Sequence, residues 1–276
     1  LSPLDEKAVP LEVAPLVSSV NDLLGRLKDS ISTQKRFLAD AAHQLKTPLA
    51  GLRMQADLAQ RKDAGEDELK QSLKQIGRAS VQATHTVNQL LSLARAEGGD
   101  ALDLQSCDME ALISEVLVDS LPRAMDKGLD LGYDGVTDDD KRRFTKVQGN
   151  PTLLKEMIRN LVDNAMHYTP STEDRTGVIT VRLLVDPYSQ ALAVQVEDNG
   201  PGITAAERER IFEPFYRALG SNVDGSGLGL PIVREIAQRH GASVSVDLAH
   251  PGQTPPGACF TVRFARASNQ FKTNIF

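Results

Sequence analysis

Gly225-Ser226-Gly227-Leu228-Gly229-Leu230-Pro231 is a glycine run that opens straight into an amphipathic stretch, Leu228 to His240, closed by Gly241. The pattern predicts a helix over 228–240 with the glycines wrapped around its first turn. Backbone N–H groups of such a loop, and of a helix N-terminus, bind phosphate oxygens. The run is not a Walker A loop, because no Gly-Lys-Ser/Thr follows. It is not a dinucleotide-binding turn either, since its second and third glycines stand too close. Alone it is a weak sign; its neighbours in the sequence sharpen it.

Upstream lies Glu197-Asp198-Asn199-Gly200-Pro201-Gly202, an acid at a strand end followed by a tight turn. Such a turn lets backbone approach a flat ligand, and Asp198 can accept from an adenine amino group; an ordinary turn reads the same way. Further upstream, Asn150-Pro151 is a helix start, an N-cap followed by proline at the first helical position, and the helix is expected to run to Tyr168. Glu156, Asn160 and Asn164 recur every four residues on one face of it, with His167 continuing the line. Amide oxygens are good hard ligands for Mg²⁺, and neutral amides do not repel phosphate. The bland reading of this face is an exposed polar surface.

Around these motifs the pattern is that of an α+β two-layer sandwich with a mixed sheet. Strands are expected at Leu102–Ser106, Leu129–Tyr133, Phe144–Gln148, Val178–Val185, Leu192–Glu197, Ser243–Leu248 and Cys259–Phe264. Asp108 caps a helix reaching Lys127, with Gly128 as its stop. The charge run Asp138–Arg143 reads as a solvated hairpin tip between the strands 129–133 and 144–148, and a short helix is expected near Ala205–Ile211.

The first hundred residues are different. Leu16, Val20, Leu23 and Leu27, then Ile31, Gln34, Leu38, Ala41, Leu45, Pro48 and Leu52, follow a heptad seam through residues 11–60. Two successive steps of four at Leu27 mark a stutter, which locally unwinds a supercoil. Arg61–Glu66 is a loop. Leu69, Leu73, Ile76, Ser80, Ala83, Val87, Leu90 and Ala94 then repeat the spacing, and Gly98-Gly99 ends the second helix. Two helices with one apolar stripe each cannot bury both as a lone hairpin, so a four-helix bundle made by two copies is expected. His43 falls between Ala41 and Leu45, at an outward position shared with Arg36, Asp40, Lys46 and Thr47. Pro48 removes the partner of the Gln44 carbonyl. A lone histidine here would be a plain surface residue.

Composition sets the outer bounds. The 276 residues are 41% hydrophobic and 25% charged, those of a globular protein with room for two domains. A net charge of -6 argues against a general nucleic-acid or anionic-membrane binder. Cys107 and Cys259 form no metal-spaced cluster, which suits a reducing compartment. No apolar run approaches the ~20 residues of a membrane span. Leu1-Ser2-Pro3 begins without Met and in mid-pattern, so the chain is expected to be a fragment of something longer.

Three motifs in this order are specific together. They resemble the N, G1 and G2 boxes of the ATP-binding fold shared by histidine kinases, gyrase-type ATPases, heat-shock-90-type chaperones and mismatch-repair ATPases. Arg210-Ile211-Phe212-Glu213-Pro214-Phe215-Tyr216-Arg217 resembles the F box of the kinases, and Phe37 to Leu49, with His43-Gln44-Leu45-Lys46-Thr47-Pro48, resembles their phospho-acceptor box. The resemblance to bacterial two-component sensor histidine kinases covers nearly everything from Phe37 to Phe264. Upstream, Pro10–Ser30 resembles the second helix of a HAMP signal-relay module. The run from His43 to Leu52 is similar to that of the tricarboxylate-transport sensors. The domains implied are 1–30 HAMP-like, 31–98 dimerisation and histidine phosphotransfer, 99–268 ATP-binding, and 269–276 a tail.

The resemblance implies roles residue by residue. His43 is the phospho-acceptor, and Thr47 matches the position linked to dephosphorylating the partner response regulator. Asn160, Asn164, His167, Tyr168, Asp198, Gly200, Gly202, Arg217, Gly225, Gly227, Leu228 and Gly229 line the nucleotide site, Asn164 as the Mg²⁺ ligand and Asp198 as the reader of adenine. ATP and Mg²⁺ are the implied cofactors. The implied partners are a second copy and a receiver domain, with no nucleic acid. A membrane enters only through segments before Leu1, which would place this part on the cytoplasmic face of a bacterial inner membrane. Gln44 departs from the pattern: many members carry Glu or Asp there, proposed as general base, and an amide cannot take a proton. The neutral imidazole can attack before losing its remaining proton to water or to Asp40, so a modest rate effect is expected. His167 departs too, where lysine is frequent. The rivals are a conformational ATPase of the same nucleotide fold, which would carry a catalytic Glu at the position of Asn160, and a non-catalytic dimeric scaffold favoured only by Gln44.

Overall fold

The computed structural model describes residues 10, 13–61, 65–97, 103–138, 142–186, 188–217 and 226–265. The chain forms two compact units, Leu1–Val87 and Asn88–Phe276. The first is a helical hairpin. Helix α1 runs Ala14–Ala59 and passes through Pro48 without ending; α2 runs Glu66–Glu97, with Glu66, Asp67 and Glu68 in its first turn, where acids suit the helix dipole. Along α1 the predicted seam is partly right within one chain. Ala41 is buried and Leu45, Pro48 and Leu52 are half-buried, whereas Leu16, Leu23 and Leu38 are 60–66% exposed. On α2 the seam is displaced: Ser72 and Thr86 are buried, while Leu69, Leu73 and Val87 are exposed. Among the described residues, no helix is long and apolar enough to cross a membrane.

The second unit is an α/β sandwich. Strand β1 (Gln105–Asp108) leads into α3 (Met109–Asp126), then β2 (Leu129–Asp134), β3 (Lys146–Gly149), α4 (Pro151–Tyr168), β4 (Gly177–Val185), β5 (Leu192–Asp198), a 3₁₀ turn at Arg210–Phe212, α5 (Gly229–Arg239), β6 (Ala242–Leu248) and β7 (Ala258–Phe264). The main sheet has the order β2-β4-β5-β7-β6; only β2 and β4 are parallel. Ile179 and Val181 of β4, Val194 and Val196 of β5, and Phe260 and Val262 of β7 are buried with Ile113 and Val116 of α3, Leu154, Met157, Ile158 and Leu161 of α4, and Ile232, Val233 and Ile236 of α5. Each of these large side chains contributes about 1.5–3 kcal/mol of burial energy.

Local signals set the helix ends as expected. Asp108 Oδ1 accepts from the N–H groups of Glu110 and Ala111, and Asn150 Oδ1 accepts from Leu153 N–H at 3.1 Å. Gly128 and Gly241 follow α3 and α5 at φ +64, where an L side chain is strained.

Three expectations are corrected. Leu102 lies outside the described residues; the first strand covers Gln105–Asp108 and pairs with β3, apart from the main sheet. The strands 129–134 and 146–149 are not a hairpin: β2 pairs with β4, and the connection between them is pinned by the buried Val136 and Thr145. The short helix expected near Ala205–Ile211 is a single 3₁₀ turn at Arg210–Phe212 preceded by turns at 205–209, with Phe212 N–H bonding to the Glu209 carbonyl and Glu213 N–H to the Arg210 carbonyl before Pro214.

Candidate active site

In the second unit several of the predicted nucleotide residues meet: Asn160 lies against Gly229, and Gly200 against the Tyr168 backbone and Asp198. Asn160 is 5% exposed, which removes the reading of a merely exposed polar face. Its Nδ2 donates to the Glu156 carbonyl at 2.9 Å and to Glu156 Oε1 at 3.2 Å. That leaves Oδ1 turned toward the glycine loop, where a Cβ on Gly229 would stand 3.2 Å from it. Asn164 is half-buried one turn further on. Lys155 and Arg159, beside this face, pair instead with Glu115 and Asp119 of α3, each at 2.8 Å, and Arg123 of α3 pairs with Asp163 at 2.7 Å. These exposed pairs fix the register of α3 on α4 and contribute little stability.

Asp198 ends β5 and is 4% exposed. Its Oδ1 accepts from Gly200 N–H at 2.8 Å and Ala258 N–H at 3.3 Å. Burial pushes its carboxyl above the ordinary range, opposed by those two N–H bonds. The turn beyond it has no room for side chains. A Cβ at Gly200 would lie 2.8 Å from the Tyr168 carbonyl oxygen, and one at Gly202 (φ +75) 2.9 Å from the Gly257 carbonyl oxygen. Asn199 stitches the turn to β4: its Oδ1 accepts from Val178 N–H at 2.9 Å and its Nδ2 donates to the Thr176 carbonyl at 3.0 Å.

The loop before α5 is bonded to the segment 210–217. Phe215, itself at φ +63, donates its N–H to the Gly227 carbonyl at 2.9 Å, and Gly227 (φ +71) packs on the Phe215 backbone. Phe212 is buried under Arg234, and Arg210 lies over Tyr216 at 4.4 Å. Arg217 is exposed. The Leu228 side chain is fully buried, so its side chain belongs to the core and only its backbone faces the loop. His167 is exposed, its Nδ1 donating to the Asp163 carbonyl at 2.9 Å, and Tyr168 is half-buried. Gly225 lies outside the described residues.

Two contributors escaped the sequence reading. Gly257 (φ +66) donates to the Gly200 carbonyl at 3.0 Å, and a Cβ on it would collide with the Asp198 carbonyl oxygen at 2.1 Å. Ala258 supplies the second N–H to Asp198. The only signal was a glycine just before the last strand.

In the first unit His43 is exposed on α1. Thr47, also exposed, donates its hydroxyl to the His43 carbonyl at 3.4 Å; Gln44 and Asp40 are half-buried. The outward position read from the heptad is the one observed. The cradle of glycines, a buried carboxylate and neutral amides offers the close backbone approach and the acceptors that suit a purine nucleotide. An amide oxygen at Asn164 suits a Mg²⁺ ion held largely by phosphate oxygens; among the described residues no cluster of three or more His, Cys, Asp or Glu has metal-binding geometry.

Known proteins share both units. Residues 149–268 match the family described as histidine kinase-, DNA gyrase B-, and HSP90-like ATPase, and residues 33–99 match the His Kinase A (phospho-acceptor) domain. Sensor protein QseC of Salmonella typhi is 37% identical over 254 residues, 91% of this chain and 53% of that protein. The signal transduction histidine-protein kinase/phosphatase MprB of Mycobacterium sp. (strain KMS) is 34% identical over 259 residues, 91% of this chain and 47% of that protein. The solved histidine kinase ThkA, in complex with response regulator protein TrrA, shares the fold at a TM-score of 0.65 and 21% identity, covering 86% of this chain and 63% of that one. The chain spans about half the length of the curated relatives it matches. With a phospho-acceptor domain followed by an ATPase domain, and relatives of this kind along nine-tenths of its length, the chain belongs to the two-component sensor histidine kinases.

Proposed function

We propose that this chain moves the γ-phosphoryl group of ATP onto the imidazole of His43 and then yields it to an aspartate on a receiver domain. The observation that carries the reading is the pairing, in one chain, of an exposed histidine one turn before Thr47 and Pro48 with a glycine-lined cradle around the buried Asp198. Asp198 takes the adenine amino group. Gly200 and Gly202 let backbone lie against the base. Gly225, Gly227, Gly229 and the Leu228 backbone receive the phosphates, with Arg217, His167 and Tyr168 beside them. Asn160 and Asn164 face the phosphates without repelling them, Asn164 as the protein ligand of Mg²⁺. When bound, that ion neutralises charge on the transferring group. Transfer then depends on positioning and charge neutralisation.

His43 attacks as a neutral imidazole, and its remaining proton leaves to water or Asp40, because Gln44 cannot take it. Thr47 orients a water for the reverse task, removal of phosphate from the receiver domain; the relative MprB is named a kinase/phosphatase, which supports a double activity. The exposed Leu16, Leu23, Leu38, Leu69 and Leu73 support a second copy completing a four-helix bundle. The receiver-domain partner has support from the complex solved for ThkA. The unit boundaries proposed are a HAMP-like end at 1–30, a phosphotransfer hairpin at 31–98, an ATP-binding domain at 99–268 and a tail. The whole protein is placed at a bacterial inner membrane with this part on the cytoplasmic face. The test is incubation with γ-labelled ATP and Mg²⁺: label is expected on the wild type and none on His43→Ala. Hydrolysis without label on either would favour the conformational ATPase.

A further inference from the structure

The two helices that carry the nucleotide residues are also tied together at the end away from the site. The N–H of Asn150, the N-cap of α4, donates to Nε2 of His240 at 3.0 Å. Nδ1 of the same ring donates to the Ile236 carbonyl at 2.7 Å, in the last turn of α5. One ring nitrogen accepts and the other donates, so the ring is held as the neutral Nδ1–H tautomer. A proton on Nε2 would set two donors face to face, because a peptide N–H cannot turn into an acceptor. The ring sits against bare backbone: a Cβ at Gly149 would lie 2.8 Å from its Cδ2 and 2.6 Å from Leu154 Cδ1.

The surroundings favour the neutral form. Burial pushes the ring below the ordinary histidine value, opposed by the bond to Ile236, while the Arg239 cation on its own helix pushes the same way as burial. From β3 and α4 the ring meets Gly149, Asn150 and Leu154, all uncharged. From β1 the Cys107 thiol reaches the Gly149 carbonyl at 3.2 Å, and burial raises that thiol, keeping it neutral.

The geometry links this tie to the site. Asn150 to Asn160 of α4 lie alongside His240 to Gly229 of α5, so the helices run antiparallel, with His240 on Asn150 at one end and Gly229 on Asn160 at the other. We propose that His240 is a positioning residue for the nucleotide site: its unprotonated Nε2 on Asn150 N–H sets the register of α5 against α4, which places the phosphate-facing start of α5 against Asn160, and protonating the ring loosens both. This rests on Asn160, Asn164 and the glycine run being the nucleotide site.

Titration calorimetry of Mg·ATP into the full chain tests it, in wild type, His240→Gln and His240→Leu. Gln keeps an acceptor oxygen and cannot titrate. At about pH 8 wild type and the Gln variant are expected to bind within about twofold of each other, and the Leu variant about tenfold weaker, as for one lost hydrogen bond. At an acid pH reached by stepping down through this ring's own lowered value, wild type is expected to lose about tenfold more affinity than the Gln variant. Parallel loss in wild type and the Gln variant, or wild-type affinity in the Leu variant at the higher pH, overturns the proposal. The amide signals of Asn150 and Gly229 separate this from the nucleotide reading. If wild type binds no Mg·ATP at either pH, that reading fails on its own. The positioning role then stands if both amides move with the His240 ring titration in wild type and stay still in the Gln variant, and falls if Gly229 ignores the titration.

Discussion

Asp198 and Gly200 hold each other in place: the carboxylate Oδ1 accepts the Gly200 N–H at 2.8 Å, and a Cβ on Gly200 would press to 2.9 Å from that same oxygen. The acid proposed to read adenine and the turn beside it are one device. Gly200→Ala is therefore expected to destabilise the domain by about 1–3 kcal/mol, since the Tyr168 carbonyl, 2.8 Å from the new Cβ, is backbone and must shift. Affinity for ATP is expected to fall at least about tenfold. Thermal unfolding and calorimetry read the two effects.

Asp198→Asn separates stability from recognition. The buried carboxyl has its folded pKa raised, so it holds its proton more readily folded than unfolded. Its ionisation therefore opposes folding as pH rises from the ordinary carboxylate value through the folded one. Asn keeps an oxygen for Gly200 and Ala258 and carries no charge. Its melting temperature is expected to gain on the wild type as pH climbs through that window, while ATP affinity falls about ten- to a hundredfold from the lost bond to a charged acceptor. Identical pH profiles for the two proteins would count against a buried, raised carboxyl.

Leu228→Ala is expected to cost about 2–5 kcal/mol, because the side chain is fully buried. The loss of nucleotide affinity should follow the loss of fold. Weak binding in a variant with unchanged stability would show that the side chain, not the backbone, meets the ligand.

Thr47→Ala removes the hydroxyl one turn from His43. Dephosphorylation of a phosphorylated receiver domain is expected to drop about tenfold while autophosphorylation stays within about twofold. Equal losses in both would place Thr47 in the common scaffold of the helix.

Gln44→Glu supplies the missing proton acceptor. Autophosphorylation is expected to speed up by no more than about tenfold, at the low end of general-base effects, measured as the initial rate of label uptake at saturating ATP.

What the sequence made legible was local. The caps Asp108 and Asn150, the Pro151 start and the Gly241 stop are decided by neighbouring residues, and α3, α4 and α5 begin and end within a residue or so of the expected places. The exposure of His43 followed from the heptad around it. What stayed hidden depends on partners far along the chain. Nothing near Ala258 announces that its N–H serves Asp198, 60 residues earlier, and nothing near His240 announces Asn150, 90 residues earlier. Strand pairing failed for the same reason: the patterns of 129–134 and 146–149 specify two strands and say nothing of which neighbour each chooses. On α2 the apolar spacing does not tell which flank is buried within one chain: Ser72 and Thr86 are buried, and Leu69, Leu73 and Val87 of the expected seam are exposed.

The proposed activity stands on a phosphoryl group carried by the His43 ring. Mass mapping of the protein after exposure to Mg·ATP, kept alkaline because phosphohistidine is acid-labile, tests it most directly. One modified site is expected, His43, absent after His43→Ala and lost with Asp198→Asn at limiting ATP. A phosphoryl group on any serine, threonine or other histidine with His43 unmodified would contradict it.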